Sequence, residues 1–177
     1  MHVRVLCTQA LTQRPASSAL QNDNVLAASY ADGSVRQWHA TTGQQLGRTI
    51  TDRGDTSHVA YSSDGLVLAT VGADPALNLY DVASARLAAS LVDGTRDCTT
   101  GHSSRVFCVA WNPHHRTVLA TGGWDDTVQL WDTRVARSIK SIFGPHICGD
   151  SLDFDSTGSF LLTGSYSPTR PLQVSYI

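Results

Sequence analysis

Apolar positions in this chain fall into short runs, and clusters of turn-forming residues punctuate them. Runs such as VLAASY, LVLATVG, RVFCVAW, TVLATGG and FLLTG recur along its length. SSDG, NPHH and DSTG follow the first run of a unit, and ADG, ADP and WDD follow the second. Gly, Pro, Asn, Asp and Ser clustered between apolar runs mark turns between short strands. RVFCVAW and TVLATGG are apolar at nearly every position and do not alternate cleanly. A sheet covered on both faces reads that way, so the pattern predicts small sheets packed face to face.

The pattern repeats, and its register can be counted. Ala28, Thr70 and Thr121 each stand ten residues before Trp38, Tyr80 and Trp131. Asp32, Asp74 and Asp125 each stand six before the same aromatics. The aromatics are 42 and then 51 residues apart, and the excess falls in the polar stretch VDGTRDCTTGH, where an insertion costs little. These offsets divide the chain into 1–20, a degraded opening strand or irregular N-terminus, then repeats at 21–57, 58–100 and 101–143. An incomplete fourth repeat occupies 144–177, with Ser175 where the aromatic belongs and Tyr176 where the following acid belongs.

In the third repeat, Gly101-His102 and Trp131-Asp132 bracket TGG and the run DDTVQLWD. On these residues the chain resembles the WD40-repeat family. The resemblance implies an all-β, WD40-type β-propeller of about four antiparallel blades, in an open or incomplete ring. It also implies a buried relay in which Trp131 donates to Thr121, Thr121 to His102, and His102 to Asp125, each satisfying a neighbour. Only the third repeat has all four members: the second has Tyr80 for Trp and no Gly-His, and the first has Ala28 for Thr.

Function follows from the same resemblance. WD40 proteins commonly bind partners at the end of the ring that carries the d–a and b–c loops, where Arg105, Phe107 and Trp124 are expected here. An aromatic in an exposed turn beside Arg and Phe has the composition of a binding hot spot; the competing reading is a Trp folded over the neighbouring blade. The expected function is a non-enzymatic scaffold for other proteins. Trp131-Asp132-Thr133-Arg134 resembles the box by which some WD40 proteins dock on a cullin–RING ubiquitin-ligase adaptor, so a substrate receptor using Arg134 is one alternative. A hydrolase built on His102, Thr121 and Asp125 is another, and the repeat context favours the structural reading.

Composition narrows the partners. Of 177 residues, 41% are hydrophobic and 16% charged, ordinary for a globular chain, and the formal charge is −2. No run of Lys and Arg offers a footprint for phosphate backbones, so nucleic acid is not an expected partner. No stretch reaches the about 18 apolar residues of a membrane helix, so no membrane partner is expected. Cys7, Cys98, Cys108 and Cys148 form no C-x-x-C pair and have no His cluster at zinc spacing nearby. Free thiols in strand-like sequence suit a reduced compartment, and the expected location is the cytoplasm, with the nucleus as the alternative. No cofactor, metal or catalytic residue is assigned: His114 and His115 lie in a turn, His146 precedes a strand, and no Gly-rich loop opens a helix. The first twenty residues lack a secretory signal's apolar core; Arg4, Arg14 and the absence of an acid before Asp23 give them a faint transit-peptide character.

Completeness is the last expectation. Pro15 in TQRPASSA removes an N–H where a central opening strand would need one, and nothing after PLQVSYI supplies a closing strand. FLLTGSY and LDFD would then leave apolar blade surface bare. The expectation is a fragment or isoform of a longer protein, or self-association of two copies to cover the open faces.

Overall fold

The computed structural model describes residues 5–10, 25–51, 54–92, 101–135 and 137–177; side chains in the first strand and at Arg48 and Thr51 are not part of that description. Four antiparallel sheets follow one another along the chain. The first comprises β1 (Val5–Ala10), β2 (Val25–Tyr30), β3 (Ser34–His39) and β4 (Gln45–Thr51). The second comprises β5 (Thr56–Tyr61), β6 (Val67–Gly72), β7 (Leu77–Asp81) and β8 (Arg86–Leu91). The third comprises β9 (Val106–Trp111), β10 (Val118–Gly123), β11 (Thr127–Asp132) and β12 (Arg137–Phe143). The fourth has three strands, β13 (Leu152–Phe154), β14 (Phe160–Gly164) and β15 (Leu172–Tyr176). Strands pair in sequence order within each sheet, and the opening strands β1, β5, β9 and β13 pack on one another in chain order. This is the stacked-blade arrangement of a propeller.

One expectation needs correcting. The first sheet does have an opening strand: β1 pairs with β2 from Val5 opposite Tyr30 to Ala10 opposite Leu26. It lies upstream of TQRPASSA, so Pro15 never has to donate to the ladder; Pro15 itself lies outside the described residues. The first blade therefore draws a strand from 1–20, the stretch expected to hold a degraded opening strand or an irregular N-terminus, across a connection longer than the other repeats use. β5 likewise begins at Thr56, two residues ahead of the boundary at 58.

Apolar clusters fill the three spaces between sheets, which explains the continuous apolar runs. Leu77, Leu79 and Val71 of the second sheet pack on Val106, Val109, Leu119 and Trp131 of the third. Val128, Leu130 and Cys108 of the third pack on Ile147, Leu152, Phe154 and Leu161. Alternate residues of β11 therefore point to opposite neighbours, Leu130 forward and Trp131 back, and both must be apolar.

The turns are built by the residues that repeat. Asp32 accepts the backbone N–H of Ser34, Asp74 that of Ala76 and Asp125 that of Thr127. Each is the same two-residue turn made by an aspartate side chain. In the first sheet the next position is Gly33, in the left-handed region at φ 77°; in the third it is Asp126, at φ 56°. Aspartate tolerates that conformation better than most side chains do, and there its carboxylate faces His146 at 2.7 Å.

Candidate functional site

The third sheet brings His102, Thr121, Asp125 and Trp131 into one hydrogen-bonded chain. Thr121 on β10 and Trp131 on β11 are both fully buried. The Trp131 indole N–H donates to Thr121 Oγ1 at 2.7 Å. Thr121 Oγ1 lies 2.7 Å from His102 Nε2, and His102 Nδ1 lies 2.8 Å from Asp125 Oδ2. A carboxylate only accepts, so Nδ1 carries the proton and Nε2 accepts from the Thr121 hydroxyl. The Ser103 N–H and the Thr127 hydroxyl, each at 2.9 Å, complete the shell of Asp125. Burial pushes the Asp125 carboxyl up, but the hydrogen bonds from His102, Ser103 and Thr127 outweigh it and hold the group below its ordinary value.

The network extends through a residue that sequence reasoning missed. Gln129 is fully buried; its amide donates to Thr127 Oγ1 at 3.0 Å, and its carbonyl accepts the Ser138 and Ser141 hydroxyls at 2.7 Å each. It thus links the relay to the outermost strand, β12. Only its position between Thr127 and Trp131, on the same face of β11, signals this in the sequence.

A separate surface gathers at the turn between β10 and β11. Gly123 lets the Arg105 carbonyl approach so closely that a Cβ there would sit 2.5 Å from it, and the Trp124 N–H donates to that carbonyl at 3.0 Å. Trp124 is 49% exposed; its ring lies 4.9 Å from Phe107 and stacks on His146 at 6.5 Å and 8°. Arg105 crosses Phe107 and pairs with Asp55 of the second sheet at 3.1 Å. Trp124 is therefore both exposed and folded against Phe107 of β9 and His146 of the connection before β13. Tyr166, 84% exposed, stands at the same position of the fourth sheet, three residues after Thr163 as Trp124 is after Thr121. Its N–H donates to the His146 carbonyl at 2.9 Å as that of Trp124 does to Arg105. Sequence reasoning passed over it because the expansion SYSPTRP hides the register.

Arg134 stands apart from this surface. It lies in the β11–β12 turn, at the other end of β11, about 20 Å away at the rise of a strand. Its guanidinium folds back on Asp132, with Nη2 2.6 Å from Oδ2, and that hydrogen bond is the main reason the Asp132 carboxyl sits below its ordinary value.

Three further side chains converge between sheets. His58 on β5, Cys108 on β9 and Asp150 ahead of β13 place one ligand-type atom each within 4.8 Å of one another. His114 instead reaches the next sheet, its Nε2 2.8 Å from the Ser156 carbonyl.

Comparison with known proteins agrees with this architecture. The family model described as WD domain, G-beta repeat matches residues 94–132, ending at the Trp131-Asp132 pair. Nuclear distribution protein nudF of Aspergillus niger is 29% identical, over 81% of this chain and 35% of its own. Cell division cycle 20.5, cofactor of APC complex, of Arabidopsis thaliana is 32% identical over 81% and 30%. WD repeat-containing protein 1 of Mus musculus is 30% identical over 61% and 17%. The chain spans about a third or less of the length of these relatives. Four sheets in one register, the Gly-His and Trp-Asp marks of the third, and these likenesses together make the chain a member of the WD40-repeat family, folded as propeller blades.

Proposed function

We propose that the chain is a non-enzymatic scaffold that holds another protein at the surface formed by Arg105, Phe107 and Trp124. The observation that carries this reading is Trp124 itself, half exposed yet fixed in place by Phe107, His146 and its own backbone bond. A rigid aromatic with an adjacent Arg loses little entropy on binding and buries much apolar area. Thr121, by contrast, is fully buried with both its donor and acceptor roles taken, which suits a structural tie and not a nucleophile. The relay is therefore read as holding the blade together. Names among the relatives, such as a cofactor of the APC complex and a nuclear distribution protein, accord with a binding role and with a cytoplasmic or nuclear location. No helix is long and apolar enough to cross a membrane among the described residues. The test is quantitative capture from the native cell with wild type and Trp124→Ala side by side. A client lost only with the variant supports the surface; identical capture by both overturns it. The ligase-receptor reading rests on Arg134 alone, and co-purification of an adaptor abolished by Arg134→Ala would favour it.

A second reading, self-association, rests on a different observation. Register places Leu172 and Val174 of β15 where Val128 and Leu130 stand in β11, since Thr163 faces Gln173 as Thr121 faces Gln129. Val128 and Leu130 are buried against the next sheet, whereas Leu172 and Val174 are each 64% exposed. On the far side, Leu26 and Trp38 of the first sheet are only half-buried, at the positions of the fully buried Leu119 and Trp131. A second copy could lay its first sheet on the fourth sheet of this one. Sedimentation should show a dimer or larger that Val174→Lys dissociates; a stable monomer at high concentration overturns the reading.

A further inference from the structure

Outside the relay and the Trp124 surface, one cluster combines three ligand chemistries. His58 and Cys108 occupy the same register position in adjacent sheets, opposite Val71 and Gly122. Asp150, in the connection to the fourth sheet, lies over both. His58 Nε2 is 3.4 Å from Asp150 Oδ1, and Cys108 Sγ is 3.5 Å from the same oxygen. Among the described residues there are two other His–Asp pairs, His102–Asp125 at 2.8 Å and His146–Asp126 at 2.7 Å, and both are ordinary charge-assisted contacts. The His58–Asp150 separation is longer than either.

That longer separation fits a coordination edge. A tetrahedral ion bound at about 2.0 Å to nitrogen and oxygen and about 2.3 Å to sulfur has N–O edges of about 3.3 Å and S–O edges of about 3.5 Å. The two separations to Asp150 match those edges, and all three ligand atoms lie within 4.8 Å of one another. An imidazole, a thiol and a carboxylate also form a borderline-soft set, which suits zinc-type ions and disfavours Ca²⁺ and Mg²⁺, whose ligands are oxygens. His58 and Cys108 are buried, while the Asp150 side chain is 74% exposed, so an ion there would be reached from the Asp150 side.

We propose that His58, Cys108 and Asp150 bind one divalent ion of the zinc type, with a fourth position open to solvent. Binding replaces the S–H bond of Cys108 with a sulfur–metal bond and releases one proton to solvent, with no change of oxidation state. The ion would join the second, third and fourth sheets at a single point, a crosslink separate from the client surface. Sequence spacing could not show it: the ligands are 50 and 42 residues apart and lie in three repeats.

The test uses the full chain, stripped with chelator and titrated with Co²⁺ as the probe. The expected result is one equivalent bound, with a thiolate-to-cobalt charge-transfer band that Zn²⁺ abolishes by displacement. Cys108→Ser should remove that band, and Cys148→Ser, at an exposed thiol, should leave it intact. Asp150→Asn changes an exposed side chain, so folding should hold by circular dichroism while Co²⁺ binds more than about a hundredfold more weakly, beyond the roughly 10–100-fold that loss of a supporting contact gives. No band with one equivalent of Co²⁺, a band that survives Cys108→Ser, or full affinity in Asp150→Asn would each overturn the site.

Discussion

The third and fourth sheets are built on the same register and live in different surroundings. Thr121 and Thr163 stand opposite Gln129 and Gln173, and Leu130 and Val174 follow one place on. In the third sheet every one of these positions is used. Trp131 and His102 engage the threonine, and Leu130 is buried against the next blade. In the fourth, Ser175 replaces the tryptophan, the buried Thr163 hydroxyl has no hydrogen-bond partner among the described residues, and Val174 is open to solvent. The contrast separates what a blade needs internally from what it needs from a neighbour. Strand pairing survives without relay or cover, because backbone hydrogen bonds and one packed face suffice to form the sheet.

The largest expected effect tests the neighbour. Leu130→Ala empties a site packed against Ile147, Leu152 and Leu161 and should cost about 2–5 kcal/mol. Val174→Ala, at the matching position of the fourth sheet, should change stability by less than about 0.5 kcal/mol when measured on dilute monomer. Comparable losses from the two, read as urea midpoints, would show that the outer face of the fourth sheet is covered in solution.

The relay gives the next contrast, and it should reverse sign. Thr121→Val keeps the shape and strands two buried groups, the Trp131 N–H and His102 Nε2, at an expected cost of about 3 kcal/mol. Trp131→Phe removes one donor and should cost about 1–2 kcal/mol. Thr163→Val removes a buried hydroxyl with no partner among the described residues and should stabilise the protein by up to about 1 kcal/mol. A loss of stability in Thr163→Val would mean that its hydroxyl is satisfied, and the contrast would collapse.

How far the sequence shows this difference depends on how local each feature is. The offsets among Thr121, Asp125 and Trp131 mark the relay positions because a strand pair holds them in register, and register is a property of adjacent sequence. Ser175 and Tyr176 announce the fourth sheet's departure for the same reason. Gln129 was illegible because a polar residue inside an apolar strand reads as an arbitrary position until β12 brings Ser138 and Ser141 to it. The opening strand β1 was illegible because its partner β2 lies across a long connection, and Pro15 drew attention to the wrong segment. Contacts between sheets, including His58 with Asp150 and Trp124 with His146, have no periodic signature at all.

A smaller effect concerns acid. The Asp125 carboxyl titrates below its unfolded value of about 3.9, so the folded state gains from its ionised form at any higher pH. That contribution is fully present above about pH 4 and drains away as the pH falls through the lower folded value. The corresponding turn of the fourth sheet, SYSPTRP, has no acid, so this sensitivity belongs to the third. Urea midpoints taken from neutral to acid pH should fall less steeply below pH 4 in Asp125→Asn than in wild type. Parallel acid limbs would show that Asp125 gains nothing from His102.

The smallest effect on stability should accompany the largest on binding. Trp124 and Tyr166 stand at one position of adjacent blades, and each is tied by its backbone to the connection before its sheet. Trp124 has ring contacts with Phe107 and His146, so Trp124→Ala should lose about 1 kcal/mol of stability at most, the usual worth of aromatic pairs beyond their buried area. Tyr166, almost wholly in solvent, should be neutral to folding on substitution by alanine. If this end of the blades is where a client sits, Trp124→Ala should weaken binding by about 2 kcal/mol or more. Tyr166→Ala should weaken it further only if the client spans both blades, because a contact on one blade leaves the second aromatic in water. The pair thus measures the footprint: loss from Trp124 alone places the client on the third sheet, and loss from both spreads it across His146. A fall in melting temperature as large as that of Trp131→Phe would show instead that Trp124 packs as core, and the surface would no longer qualify as an anchor.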